Sequence, residues 1–157
     1  MKLLYLCTHN ACRSILAEAI TRRLSKGRII VASAGSEPAG QVHPLTMHYL
    51  HAADYPTDGL NSKGWAEVKD FKPDVVITVC DQAAGESCPV WFGNATKVHW
   101  GLTDPSQIKG SPADTAAAFA SVINTLEVRI NQLLSPTLDS LNKGELARLL
   151  EQIGESD

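Results

Sequence analysis

Reactive side chains gather in three short stretches of the 157-residue chain. "LCTHNACRS" sets Cys7, Cys12 and Arg13 directly behind an apolar run, "CDQAAGESCP" carries Cys80 and Cys88, and "GLTDPS" carries Asp104. The first stretch could be a metal site, a disulfide or a reactive thiolate. C-x4-C is not zinc-knuckle spacing, and no second C-x2-C or H-x3-H pair exists to complete a site. A Cys7–Cys12 disulfide suits a transient state better than a structural one if the compartment is reducing. The third reading fits the local order of strand, tight loop and helix start. Loop and first-turn N–H groups can converge on an anion, and the helix dipole adds positive potential. Arg13 offers a planar fork to a tetrahedral oxyanion. That field is expected to lower the pKa of Cys7, with Ser14 Oγ donating to the sulfur. Asn10 tolerates left-handed backbone and can tie the loop together.

The elements that must hold these residues alternate. "MKLLYL" is a short buried strand, and "SILAEAITRRLS" is a helix with Ile15, Leu16, Ala19, Ile20 and Leu24 on one face, stopped by Gly27. "RIIVASAG" is a second strand, "SEPAGQVHP" a loop, "PLTMHYLHAAD" a helix, and "DGLNSKGWAEVKDF" a loop with a short helix. "PDVVITVC" is the clearest buried strand; a loop from Asp81 to Gly93 and the strand "TKVHW" follow. The longest helix covers "ADTAAAFASVINTLEVRINQLL" and ends before Pro136, and "NKGELARLLEQIG" is a short amphipathic helix. This alternation predicts an α/β fold: a four-stranded parallel sheet flanked by helices on both faces. Residues 1–134 are read as the main domain and 135–157 as an extension packed on it. Ligands bind at the carboxyl ends of parallel strands, so the Cys7, Cys80 and post-Trp100 loops should share one sheet edge.

Composition narrows the function classes. A net charge of −3 and 44% hydrophobic residues suit one acidic globular domain rather than a nucleic-acid binder. The N-terminal apolar run is too short for a signal peptide or a membrane span. A cytoplasmic protein with reduced thiols, and a monomer, is expected.

C-x5-R-S after the first strand, the "SAG" closing the second, "DVVITVC" and the late "TDP" occur in the order that resembles the low-molecular-weight protein tyrosine phosphatase superfamily. The resemblance implies a flavodoxin-like three-layer α/β/α fold. It implies a substrate loop of Thr8, His9, Asn10, Ala11, Cys12, Arg13 and Ser14, with Cys7, Arg13, Ser14 and Asp104 catalytic. The sequence looks most similar to the arsenate reductases of that superfamily. Phosphatases carry a tyrosine after the "DP", where Ser106 stands here, and His9 and Ile15 stand where they carry glycine and proline. A phosphatase also has no use for Cys80 and Cys88, whereas arsenate reduction needs two electrons from thiols. The alternative is a phosphatase hydrolysing phosphoesters through a cysteinyl-phosphate.

The resemblance implies a sequence of steps. Cys7 attacks arsenate and Asp104, its pKa raised by the bound anion, protonates the departing oxygen. Cys80 attacks the Cys7 sulfur, Cys88 attacks Cys80, and the small residues between them let that loop move. No bound cofactor is expected. An external reductant, thioredoxin or glutathione/glutaredoxin, restores the thiols, and phosphate and sulfate should compete. No metal is expected as a cofactor. Some relatives hold potassium through positions matching Asn10, Glu18 and Ser33; here Lys63 of "NSKG" is expected to replace that ion.

The remaining candidates have plainer readings. Cys12 is expected to be a packed thiol rather than a protective partner of Cys7. His48 and His51 stand i, i+3 on an expected helix and could ligate a metal, but no third ligand is evident, so they, like the scattered His43 and His99, are read as surface or core residues. Trp65 and Trp100 should be core. Trp91 and Phe92 could be a docking patch or core packing. Arg22, Arg23, Lys26 and Arg28 should form a solvated face.

Overall fold

The computed structural model describes residues 1–84 and 92–155. Its elements are β1 (Lys2–Cys7), α1 (Arg13–Ser25), β2 (Ile30–Gly35), α2 (Pro44–Ala52), β3 (Val75–Thr78), α3 (Asp81–Ala84), β4 (Thr96–His99), α4 (Pro112–Leu133) and α5 (Lys143–Glu155). The four strands form one parallel sheet in the order β2-β1-β3-β4. The order reverses between β1 and β3, which opens a crevice at their carboxyl ends.

β1 and β3 are the central strands, and every residue of Leu3–Leu6 and Val75–Thr78 is buried. Burial on both faces explains why these strands read as continuous apolar runs rather than alternating ones. Leu3, Tyr5 and Cys7 point into the larger core with residues of α1, α2, α4 and α5, including Ile15, Leu50, Phe119 and Leu150. Leu4 and Leu6 point the other way, onto Val68 and Phe92, with Trp65 and Phe71 packed alongside. The 3₁₀ segment Trp65–Phe71 supplies part of that second cover.

α1 ends where expected. Lys26 is left-handed with φ 49° and Gly27 follows at φ 89°, a turn that glycine enters without steric cost. One expectation needs correction. The stretch from Asp81 is not loop throughout, because Asp81–Ala84 forms a single helical turn. Asp81 provides an acidic first turn there, and the turn lets the Ala83 N–H reach back to Cys80 Sγ at 3.4 Å. Cys88, Trp91 and the rest of 85–91 lie outside the described residues. Phe92 is 3% exposed, so packing rather than docking is its role.

α5 lies against β4 and α4, burying Leu150 and Ile153. Trp100, with no exposed surface, donates its indole N–H to Leu150 O at 2.9 Å. Arg22, Arg23, Lys26 and Arg28 are exposed as expected, but Arg28 also donates to Leu134 O and Ser135 O, fastening the segment after α4. Among the described residues no helix is long and apolar enough to cross a membrane.

Gly35, the last residue of β2, is where the sheet meets the loop after β1. A Cβ there would lie 2.5 Å from Thr8 O and 3.0 Å from both Asn10 N and Cys7 O. These are backbone atoms and cannot swing aside. Gly35→Ala is expected to lower stability by about 1–3 kcal/mol and to weaken phosphate binding, because these atoms belong to the backbone of the loop expected to receive the anion. Urea unfolding and titration calorimetry check this; unchanged phosphate affinity would contradict it.

Candidate active site

The loop after β1 wraps its backbone around the Cys7 sulfur. Asn10 adopts the left-handed conformation at φ 47°, which brings its N–H to 3.2 Å from Cys7 Sγ. Ser14 Oγ lies 2.8 Å from the same sulfur. Asn10 Nδ2 donates to Ser14 Oγ at 2.7 Å, so the Ser14 hydroxyl proton is directed at the sulfur. Asn10 thus does what its residue type suggests, and does it twice.

The Asn10 amide continues into a buried polar chain. Nδ2 also donates to Ser33 Oγ at 3.0 Å, and Ser33 Oγ donates to Glu18 Oε1 at 2.5 Å. Asn10 Oδ1 accepts from the Lys63 N–H at 3.0 Å. Glu18 is 3% exposed and pairs with Arg22, one helical turn on, and with Lys63 Nζ at 3.8 Å. Asn10, Glu18 and Ser33 therefore do meet, and the cations facing Glu18 are Arg22 and Lys63. Burial lowers the Lys63 pKa, while Glu18 acts to raise it. Among the described residues no group of three or more His, Cys, Asp or Glu is placed to hold a metal ion.

One expectation about Cys7 reverses. The thiol is 5% exposed, and burial raises its pKa, with the Ser14 hydroxyl and the Ser14 and Asn10 N–H groups pulling the other way and nearby Cys80 adding to the rise. Loss of water around the sulfur outweighs the hydrogen bonds that would stabilise its anion. The shift of Cys7 is therefore upward, set by its burial.

Cys12 is 5% exposed and belongs to the larger core. Burial pushes its pKa up to about 12, against a hydrogen bond with Thr46. It caps α1 without a side-chain hydrogen bond to the helix, as a packed thiol would. Ala11 serves through its carbonyl, which accepts from the His43 N–H at 3.0 Å and Thr46 Oγ1 at 3.1 Å. His9 turns its ring outward, Nδ1 lying 3.0 Å from Glu37 O.

Beside the loop opens a cleft of about 500 Å³ lined by Thr8, His9, Arg13, Cys80, Asp81, Asp104 and Gln107. Cys80 is 3% exposed and its Sγ lies 3.6 Å from Thr8 Oγ1. Thr8 is the residue next to Cys7, so the two thiol-bearing segments touch. The cause is the strand order: Leu6 and Thr78 are paired neighbours, and the Val79 N–H extends the ladder to Leu6 O at 2.9 Å. Arg13 donates Nη1 to Leu102 O at 3.1 Å and holds Nη2 3.6 Å from Asp104 Oδ2.

Two features escaped the sequence reading. Ser106 donates its N–H (3.0 Å) and its hydroxyl (2.6 Å) to Asp104 Oδ1; the signal was present in "DPS", where Asp caps a turn begun by proline. His99 Nε2 sits 3.1 Å from Asp81 Oδ1, and His99 Nδ1 sits 2.8 Å from Thr78 Oγ1. Nothing in the sequence pairs these, because β3 and β4 become neighbours only in the sheet.

With this geometry in place, known proteins can be compared. The family described as low molecular weight phosphotyrosine protein phosphatase matches residues 2–146. An arsenate reductase of Halalkalibacterium halodurans is 32% identical over 80% of this chain and 89% of its own. A glutaredoxin arsenate reductase of Synechocystis is 26% identical over 85% and 96%. Among solved structures, "An arsenate reductase in the phosphate binding state" superposes with TM-score 0.69 at 27% identity, covering 85% of this chain and 95% of that one. The thioredoxin-dependent arsenate reductase of Corynebacterium glutamicum gives TM-score 0.67 at 25% identity, covering 89% and 63%. The chain belongs to the low molecular weight phosphotyrosine protein phosphatase family, among its arsenate reductases.

Proposed function

We propose that the protein reduces arsenate to arsenite with its own thiols and passes the resulting disulfide outward. The observation that carries this reading is the contact between Thr8 of the anion loop and Cys80 Sγ in one cleft. Hydrolysis of a phosphoester has no step for that second thiol, whereas reduction of arsenic needs it.

The reaction balances on these residues. The arsenate dianion enters the cradle of loop N–H groups beside Arg13. The Cys7 sulfur bonds to arsenic, and the thiol proton leaves with one arsenate oxygen and its proton as water. Asp104, held by Ser106, delivers the proton to that oxygen. Cys80 then attacks the Cys7 sulfur as its thiol proton passes to an arsenic-bound oxygen, and the S–As bond breaks. Its electron pair reduces arsenic by two electrons, arsenite departs and Cys7–Cys80 is the disulfide. Cys88, by attack on Cys80, frees Cys7, and an external dithiol reduces the Cys80–Cys88 bond. Cα atoms within roughly 4.4–6.8 Å are needed for each bridge, so the turn carrying Cys80 must shift between partners.

The test supplies arsenate and NADPH with either thioredoxin and its reductase, or glutathione, glutaredoxin and glutathione reductase. Arsenate-dependent NADPH oxidation is expected with one of the two. Neither system responding, alongside fast aryl-phosphate hydrolysis, would overturn the reading. Inorganic phosphate and sulfate should inhibit competitively, since the loop reads tetrahedral shape and charge.

Lys63 takes the place of a potassium ion in this reading. Its ammonium and the Arg22 guanidinium both face Glu18, and a third cation would meet their repulsion. Wild-type stability should therefore be the same in potassium and sodium chloride. Lys63→Met should lose about 1–3 kcal/mol and recover part of it specifically in potassium. Thermal melts in the two salts decide this; potassium dependence of the unaltered protein would contradict it.

A further inference from the structure

Asp104 lies on a loop that is held from behind by the two C-terminal helices. Arg129 on α4 is 6% exposed; it donates Nη1 to Gly101 O at 3.3 Å and Nη2 to Gly154 O at 3.5 Å. One guanidinium thus joins the start of the Asp104 loop to the end of α5. Trp100, the residue before that loop, is fastened to α5 by its bond to Leu150 O. Gly154 comes so close that a Cβ there would lie 2.7 Å from Trp100 Cδ1 and 2.9 Å from His99 O. Between α4 and the loop runs a groove of about 370 Å³ lined by Leu102, Thr103, Pro105, Val122 and Arg129, among others. Open space on that side gives the loop room to move, so its backbone anchors matter more. The family match stops at residue 146, so most of α5 lies beyond it.

We infer that Arg129 and the end of α5 form a positioning element for Asp104, setting the reach of its carboxylate to the departing oxygen through Gly101 and Trp100. This rests on Asp104 being the proton donor of the reaction proposed above. Gly154→Ala pushes α5 off Trp100 without touching the cleft. A shift on the order of 1 Å at a reacting group can slow a reaction ~100-fold, so a smaller displacement relayed through the loop should slow proton delivery about tenfold. Phosphate binding should change less than about twofold, because the cradle is built by the β1 loop.

The test is a double-mutant cycle. Wild type, Asp104→Asn, Gly154→Ala and the double variant are each mixed with arsenate in a single turnover, followed by loss of free thiols, with thermal melts alongside. Gly154→Ala should be slow with Asp104 present and should add less than about a further twofold once Asp104 is Asn. Equal slowing in both backgrounds, or none, overturns the inference while leaving Asp104 as the acid. Full activity of Asp104→Asn overturns both. If Gly154→Ala does not fold, Arg129→Lys replaces it in the cycle, with the same outcomes deciding.

Discussion

Cys7→Ser is expected to abolish arsenate reduction, a loss of at least about 10⁴-fold, while the protein stays folded and still binds phosphate. The cradle does not depend on the sulfur. Asn10 is held by Ser33 and the Lys63 backbone, and Ala11 by His43 and Thr46. What is lost is the sulfur that, in the proposed reaction, bonds to arsenic and is later attacked by Cys80. Ser14→Ala gives a graded version. It removes a hydrogen bond that pulls the Cys7 pKa down, so that pKa rises further and less thiolate exists at any given pH. The pH profile of alkylation by iodoacetamide should move to higher pH, and the rate at pH 8 should fall about 10–100-fold, the worth of a hydrogen bond to a charged group. An unmoved profile would remove Ser14 from the site.

Cys80→Ser should stop the reaction one step later. Cys7 can still bond to arsenic, but the thiol that the described residues bring into the cleft is gone, so no arsenite is expected to be released by the relay. The comparison with Cys88→Ser is the informative one. That variant should release one arsenite per chain and stall as the Cys7–Cys80 disulfide, visible by mass spectrometry. Sustained turnover of Cys88→Ser with glutathione would mean that the external thiol resolves the intermediate itself. Repeated arsenite release by Cys80→Ser with thioredoxin alone would overturn the relay. Both outcomes follow from position: Cys80 touches Thr8 in the cleft, and its turn is a single helical turn fastened by the Ala83 N–H, a small structure to rearrange.

Much of this was legible from residue order. Apolar runs four to six residues long, separated by amphipathic stretches, leave little but a parallel sheet. The geometry of the loop after β1 was legible too, because a strand, a short loop and a helix start are local in sequence, and Asn10 and Ser14 act within four residues of Cys7 or each other. The direction of the Cys7 pKa shift was not. Its neighbours in sequence all favour the thiolate, while the opposing burial is made by the sheet and helices packed around it.

Pairings across the fold are likewise beyond the sequence. Cys7 and Cys80 are 73 positions apart, and only the β1–β3 register makes their segments touch. Lys63 reaches Glu18 across a loop whose path depends on Gly35 accepting the close backbone of Thr8 and Asn10. The support of Asp104 by Arg129 and Gly154 joins three segments that share no pattern. The sequence by itself determined the elements and the chemistry each carries, because those depend on periodicity and side-chain type. The tertiary structure alone decided which thiol meets which, where the charges balance and how much water each group loses, because distance and burial are properties of the packed chain.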